Sequence, residues 1–531
     1  MMKKPAYALL ATLMIALAGC AKVETASLEA TPAKSGAPAA PSVAADPKTD
    51  KQELVRRIGT MFDDERFANA HWGVLIKSLD TGEVWYARNE NRLFNPASNE
   101  KIPTTASALL YLGPDFKYET SLCHTGEVSG DTINGDLVVF GNGDPTLYTR
   151  LRDENGEPYY KDSKDAFRAW AKTLKEKGIT HITGNVVGDD NAWDDEHIGN
   201  GWPFDELTPW YYAEYGALQF NENYVDVKFT PPETVDGTVT VTPNVTSNYF
   251  KLINNIKVVA EGSNSVDMYR PIFSNEITLT GRVKAGSKAF EETPTITNPT
   301  MFYVTVLSEV LKEEGIKIDG KPMDCDDIDG WKHTAADFPV LAKLDSPPLY
   351  RILQGLMKRS QNMYAETMAH TMGWKKDGIG TFRGGREVVY QELEQFGIKP
   401  RSFAYMDGSG LSRYNYISPA IIVKIYEGMR NHPLGKYWWD MQSIAGVDGT
   451  LRNRMKGTKA EGNVRGKTGT ISNVRALSGY VKTAGGEQLA FSFLVNAHLV
   501  GDSDTNSITD GVATMLADFE GVPPAKAPAA Q

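Results

Sequence analysis

Asn95-Pro96-Ala97-Ser98-Asn99-Glu100-Lys101 leads into a segment, 100–112, whose composition predicts a helix with Ser98 in its first turn. A spacing of three sets Ser98 and Lys101 on one helical face. The helix start adds unpaired N–H groups and positive potential beside the hydroxyl, which suits an oxyanion. Taken alone, Ser98 reads as well as an N-cap. A Lys acts as a base only when neutral, which requires burial or a second positive charge nearby. Two later stretches supply the missing parts. Ser360-Gln361-Asn362 lies between two helix-like segments and offers a hydroxyl to pass a proton and an amide to grip one. Lys467-Thr468-Gly469, with Thr470, precedes a strand-like run; Lys467 with the two hydroxyls fits a carboxylate, and Gly469 leaves room for an added substrate strand. Lys467 is a candidate for the second charge that would lower the Lys101 pKa.

Around these motifs the chain reads as a folded part between two low-complexity ends. Strand–turn–strand patterns occupy 72–87 and 474–496, and a helix-period segment, 508–519, closes the folded part. Elements from both ends therefore predict one antiparallel sheet with helices packed on it. About 260 residues separate Ser98 from Ser360, far more than a connecting loop. Short β-rich runs fill this interval at 136–140, 182–188, 225–229, 238–241 and 277–283, followed by a helix over 300–315. Leu349, Ile352, Leu353, Leu356 and Met357 keep helical spacing and are expected in the core.

The ends predict a compartment. Lys3 and Lys4, a short apolar run and Leu17-Ala18-Gly19-Cys20 form a signal-peptide pattern over 1–20, with Cys20 as the expected lipidation site. An Ala/Pro-rich stretch, 21–51, reads as a disordered tether, and 521–531 as a similar tail. The stretch resembles the bacterial lipoprotein box, and by resemblance to diderm bacteria Ala21 after the Cys implies the outer membrane, hence a lipid-anchored periplasmic protein. The net charge of −11, with both signs interspersed, argues against a nucleic-acid partner. Cys123 and Cys325 either pair in an oxidising compartment or stand as two buried thiols. The eight His are scattered with no metal-ligand spacing, so neither a metal nor another cofactor is expected. Oligomeric state is not legible.

Four stretches beyond the three motifs carry a family resemblance: 135–147, Asp407-Gly408-Ser409-Gly410-Leu411-Ser412, Ala445-Gly446-Val447-Asp448-Gly449-Thr450-Leu451, and the extension of the third motif to Thr470. With the motifs, they resemble the class C low-molecular-mass penicillin-binding proteins, the D-alanyl-D-alanine carboxypeptidase/endopeptidases of serine peptidase family S13. The resemblance implies an α/β (α+β) fold. A β-lactamase/transpeptidase-like domain, 52–117 with 335–520, has an antiparallel sheet flanked by helices. Two small β-rich domains nest inside it, 118–220 with 296–334 and 221–295. It also implies roles: Ser98 the acylated nucleophile, Lys101 its base, Ser360 the proton relay, Asn362 the positioning amide, and Lys467, Thr468 and Thr470 binders of a terminal carboxylate. Backbone N–H groups of Ser98 and Thr470 would hold the oxyanion. Peptidoglycan stem peptides are the implied substrates and β-lactams the implied inhibitors. Relatives grip a diaminopimelate amine with an acidic residue of the insert, and Asp189, with Trp193 beside it, is the expected match. Gln361 departs from the Asp that many relatives carry. Two other readings use the same residues: a β-lactamase or esterase, and a non-catalytic peptidoglycan-binding lipoprotein.

Overall fold

Alternating side chains make the central sheet two-faced. In the strand His71–Ser78, Trp72, Val74 and Ile76 point one way and Leu75 the other; in Gln488–Asn496, Phe491 and Phe493 oppose Ala490 and Leu494. A computed structural model describes residues 46–521. The expected signal peptide, the Cys20 lipidation site, residues 21–45 of the tether and residues 522–531 of the tail lie outside the described residues; the last tether residues instead lead into a helix that Asp50 caps. The sheet has six antiparallel strands in the order Ser443–Ile444, Arg465–Ile471, Val474–Lys482, Gln488–Asn496, His71–Ser78, Val84–Arg88. Both ends of the chain thus meet in one sheet, as their patterning predicts. The helices Lys51–Phe62 and Asp502–Asp518 cover its first face through Leu54, Ile58, Val512 and Leu516. Helices Lys101–Leu112, Leu349–Arg359, Asn362–Asp377, Phe382–Glu394 and Pro419–Asn431 build the core on the second. Leu349, Ile352, Leu353, Leu356 and Met357 are all fully buried there.

The insert is less purely β than expected. Its five-stranded sheet runs Pro322–Asp324, Val186–Asp189, Leu137–Phe140, Glu119–His124, Val340–Asp345, the first three strands mutually parallel. Two helices, Asp165–Glu176 and Pro299–Glu313, share its apolar core. The first went unread in the sequence, although Ala166, Phe167, Trp170, Ala171 and Leu174 follow helical spacing and are buried. Between the two helices lie two smaller sheets, one of Val227–Thr230, Thr240–Pro243 and Phe290–Glu292, the other centred on Glu276–Lys284. Cys123 and Cys325 are both buried free thiols, so the unpaired alternative describes them. Among the described residues no helix is long and apolar enough to cross a membrane.

The insert is tied to the second motif by a strained turn. Asn221, Glu222 and Asn223 all take left-handed backbone, at φ 53°, 54° and 56°. For Glu222, which lacks the short amide that lets Asn tolerate this region, that costs about 1–2 kcal/mol. The turn delivers the fully buried Glu222 carboxylate to Arg359, at 2.6 and 2.7 Å, and to the Gln361 amide at 2.5 Å. Burial alone would raise the Glu222 pKa; the Arg359 guanidinium overrides it and holds the carboxyl below its usual range. Glu222→Ala is therefore expected to destabilise the protein by about 3–5 kcal/mol, because it strands a largely buried guanidinium. Urea unfolding measures this. The pair's stabilisation is present above the carboxyl's ordinary pKa and lost as pH falls through the depressed one. The gap between wild type and variant should therefore shrink on acidification, and only there.

Candidate active site

The first motif sits on a tighter turn than its composition predicts. Ala97–Glu100 is one 3-10 turn that runs into the helix Lys101–Leu112. Its geometry is held from outside. Ala97 has φ 46°, and a Cβ on Gly410 would stand 1.9 Å from the Ala97 carbonyl, so only glycine fits there. In a 3-10 turn residues three apart eclipse, and Lys101 Nζ donates to Ser98 Oγ at 3.0 Å. Its other two donations go to Asn362 Oδ1 and the Ser409 carbonyl, both at 2.5 Å. These contacts occupy all three donors of an ammonium. Once Nζ loses a proton, its lone pair becomes available to the Ser98 hydroxyl.

Lys101 has no solvent exposure, and burial lowers its pKa to about 7 against the opposing pull of Asp407, Glu366 and Glu100. Two of those carboxyls pull weakly. Burial pushes Glu100 well above its usual range, and neither of its oxygens has a hydrogen-bond partner. Burial and the neighbouring Asp407 raise Glu366 to about 8. With Glu100 neutral, burial outweighs the remaining carboxylate pull and favours the free amine at neutral pH.

The second and third motifs close the same site. Ser360 ends the helix Leu349–Arg359 in left-handed backbone, φ 58°, and Gln361 caps the next helix, so the motif is the tight inter-helix link the sequence predicts. Lys467 Nζ donates to Ser360 Oγ at 2.7 Å and to the Thr468 carbonyl at 2.8 Å. Burial, and then the Lys101 charge, hold the Lys467 pKa well below the usual lysine range. Asn99, between Ser98 and Lys101, stitches the turn to the sheet. Its amide donates to the Lys467 carbonyl at 3.0 Å and accepts from Ser478 Oγ at 2.6 Å.

Gly469 has a job beyond the one expected. A Cβ there would lie 2.7 Å from the Pro96 carbonyl and 3.2 Å from the Asn99 nitrogen. Its bare face lets the strand close onto the Ser98 turn. Ser98, Ser360, Asn362, Thr468 and Thr470 all line one cleft of about 490 Å³.

Asp189 and Trp193 are not in that cleft. Asp189 ends a strand of the insert, where its Oδ2 accepts from Trp331 Nε1 at 2.6 Å and its Oδ1 from the Asn191 backbone at 3.1 Å. It borders a separate cavity of about 330 Å³. Trp193 is buried beside the His370 ring, and a side chain at Gly143 or Gly380 would collide with it. The acidic residue that does line the Ser98 cleft is Glu206, on the turn Phe204–Glu206, in the company of Trp210, Tyr211, Arg359, Arg413 and Arg475. Tyr211 also fixes the second motif, since its carbonyl accepts from Asn362 Nδ2 at 2.6 Å. The signal was available as an acidic pair amid aromatics and prolines, Trp202-Pro203-Phe204-Asp205-Glu206-Leu207-Thr208-Pro209-Trp210-Tyr211-Tyr212.

A two-lysine, two-serine cleft on this sheet has the pattern of the penicillin-recognising serine acyltransferases and peptidases. The chain belongs to the D-Ala-D-Ala carboxypeptidase 3 (S13) family, which matches it over residues 54–519. It is 31% identical to a D-alanyl-D-alanine carboxypeptidase of Actinomadura sp., with 88% of this chain and 85% of that one covered. It is 25% identical to D-alanyl-D-alanine carboxypeptidase DacB of Haemophilus influenzae, with 82% and 87% covered. The crystal structure of penicillin binding protein 4 (dacB) from Haemophilus influenzae shares the fold. Its TM-score is 0.73 at 24% identity, with 87% of this chain and 99% of that one covered.

Proposed function

We propose that this protein is a penicillin-sensitive serine D-Ala-D-Ala carboxypeptidase whose acyl-enzyme forms on Ser98. The observation that carries the reading is the contact of a fully buried Lys101 amine with Ser98 Oγ, in a cleft shared with Ser360 and the Lys467 strand. Neutral Lys101 takes the Ser98 proton as Oγ attacks the carbonyl carbon of the penultimate D-Ala. The oxyanion is held by the backbone N–H groups of Ser98 and Thr470, where preorganised donors are worth about 10²–10³ in rate. Ser360 hands a proton to the leaving nitrogen and is reprotonated by Lys467 at 2.7 Å, D-Ala departs, and the proton Lys101 took from Ser98 restores Lys467, leaving Lys101 neutral for deacylation. Water then attacks the ester carbonyl and Lys101 takes its proton; the tetrahedral intermediate collapses, Ser98 leaves with a proton, and the shortened peptide is released as its carboxylate. Thr468 and Thr470 hydroxyls with Lys467 receive the terminal carboxylate. Thr468 Oγ1 is itself set by a bond to Thr450 at 2.8 Å.

Glu206 replaces Asp189 as the proposed anchor for a free amine on the stem-peptide side chain, because only Glu206 shares the cleft with Ser98. Glu206→Gln should lower kcat/KM for amine-bearing D-Ala-D-Ala peptides roughly fivefold, about 1 kcal/mol for an exposed charge pair. It should leave acylation by benzylpenicillin unchanged. The same Ser98 chemistry extends to D,D-endopeptidase cleavage of cross-links, whose leaving group is a peptide amine instead of D-Ala. Lipid attachment at Cys20 and an outer-membrane, periplasmic location are supported by the lipobox-like Leu17-Ala18-Gly19-Cys20. The direct test is D-Ala release from a stem pentapeptide, with benzylpenicillin as blocker. Release abolished by prior penicillin is expected; absence of release, with penicillin left intact, would contradict the reading.

A further inference from the structure

Asp190, Asp324 and Cys325 are brought together by strand register. Pro322–Asp324 runs parallel to Val186–Asp189 with Met323 beside Val187 and Asp324 beside Gly188. Asp190 and Cys325 are the next residue in each strand's path, so all three reach the same end of the pair. The Cys325 sulfur and one carboxylate oxygen from each Asp lie within 4.8 Å of one another.

Two further observations bear on a positive ion there. Asp190 is only 6% exposed; its Oδ2 accepts from the Thr300 hydroxyl, but its Oδ1 has no hydrogen-bond partner. An unpaired oxygen at that depth costs about 1–3 kcal/mol, and such groups call for an explanation. The Cys325 sulfur accepts a hydrogen bond from Asn191 Nδ2 at 3.0 Å and itself faces Asp326 Oδ1 at 3.8 Å, so it sits among polar partners.

We propose that Asp190, Asp324 and Cys325 form a zinc site that clamps two parallel strands of the insert. A thiolate among the ligands selects zinc over magnesium or calcium. Zinc takes sulfur at about 2.3 Å and oxygen at about 2.0 Å, so the ligands must draw in from their present spread. Asp324, half-exposed, has the freedom to do so. Water completes the tetrahedron, and the Cys325 proton leaves to solvent on binding. The site has no part in acyl transfer; its effect is on the insert's stability.

The test is titration of the full-length, chelator-stripped protein with Co²⁺, a zinc surrogate whose thiolate complexes absorb in the near ultraviolet. A sulfur-to-cobalt band saturating at one equivalent, displaced by Zn²⁺, is expected. Cys123→Ser should keep it and Cys325→Ser should lose it. Asp190→Asn should weaken Co²⁺ by more than the roughly tenfold that losing an outer partner costs. Unchanged circular dichroism and unchanged penicillin acylation would show that each variant is folded. No band in the wild type, or a band that survives Cys325→Ser, would overturn the proposal.

Discussion

Ser98→Ala is expected to reduce D-Ala release by at least about 10⁴-fold while leaving thermal stability within about 1 kcal/mol of wild type. The asymmetry follows from what Ser98 touches. Its hydroxyl is held by Lys101 alone among the described side chains, at 3.0 Å. The turn that carries it is fixed by other residues: Asn99 against the sheet, Gly410 under Ala97, and Gly469 against Pro96. Removing one oxygen deletes the bond-forming atom and almost nothing of the scaffold. Lys101 retains its bonds to Asn362 and the Ser409 carbonyl. Steady-state D-Ala release and a thermal melt, run on the same preparation, check both halves of the statement.

The second large effect concerns Lys101. As a base it must be neutral, and burial brings its pKa to about 7. The acylation rate by benzylpenicillin should therefore rise with pH through about 7 and level off above it. Stopped-flow acylation across that range measures it. A flat profile through neutrality would remove Lys101 from the role. Lys101→Met keeps length and apolar volume but deletes the amine, and should cost about 10³-fold in acylation, within the range for general bases. Stability moves the opposite way to the usual paired lysine. The depressed pKa means the unfolded chain binds the proton more tightly between about pH 7 and the ordinary lysine value. Stability therefore increases as pH rises through that window. Lys101→Met should flatten this slope, with the loss largest at alkaline pH, where wild type no longer buries a charge and Asn362 Oδ1 and the Ser409 carbonyl still forfeit a donor.

Much of the site was legible because its chemistry is local. Ser98 and Lys101 share one turn, Ser360 and Asn362 share one helix junction, and Lys467 to Thr470 share one strand. Periodicity likewise placed the sheet strands from both chain ends and the core face of Leu349–Arg359. What the sequence hid depends on direction and on distant partners. Asp189 is expected from the family resemblance, yet its strand carries it into the sheet of the insert, and the chain continues to Glu206 before an acid enters the cleft. Gly469 signals a close approach, but not on which side; the Cβ direction reveals the Ser98 turn. The buried Glu222–Arg359 pair joins two motifs that no spacing rule connects. Asp190 and Cys325 are likewise brought together only by parallel pairing of distant strands. The 3-10 form of Ala97–Glu100 depends on Gly410, far along the chain, and reads as ordinary helix in local composition.

The account rests on Ser98 as the acylated atom, and intact-protein mass spectrometry after incubation with benzylpenicillin tests that most directly. One penicilloyl adduct per chain, mapped to the peptide that contains Ser98 and missing from Ser98→Ala, is the predicted result. An adduct on any other residue, or an unmodified protein beside unconsumed penicillin, would contradict it.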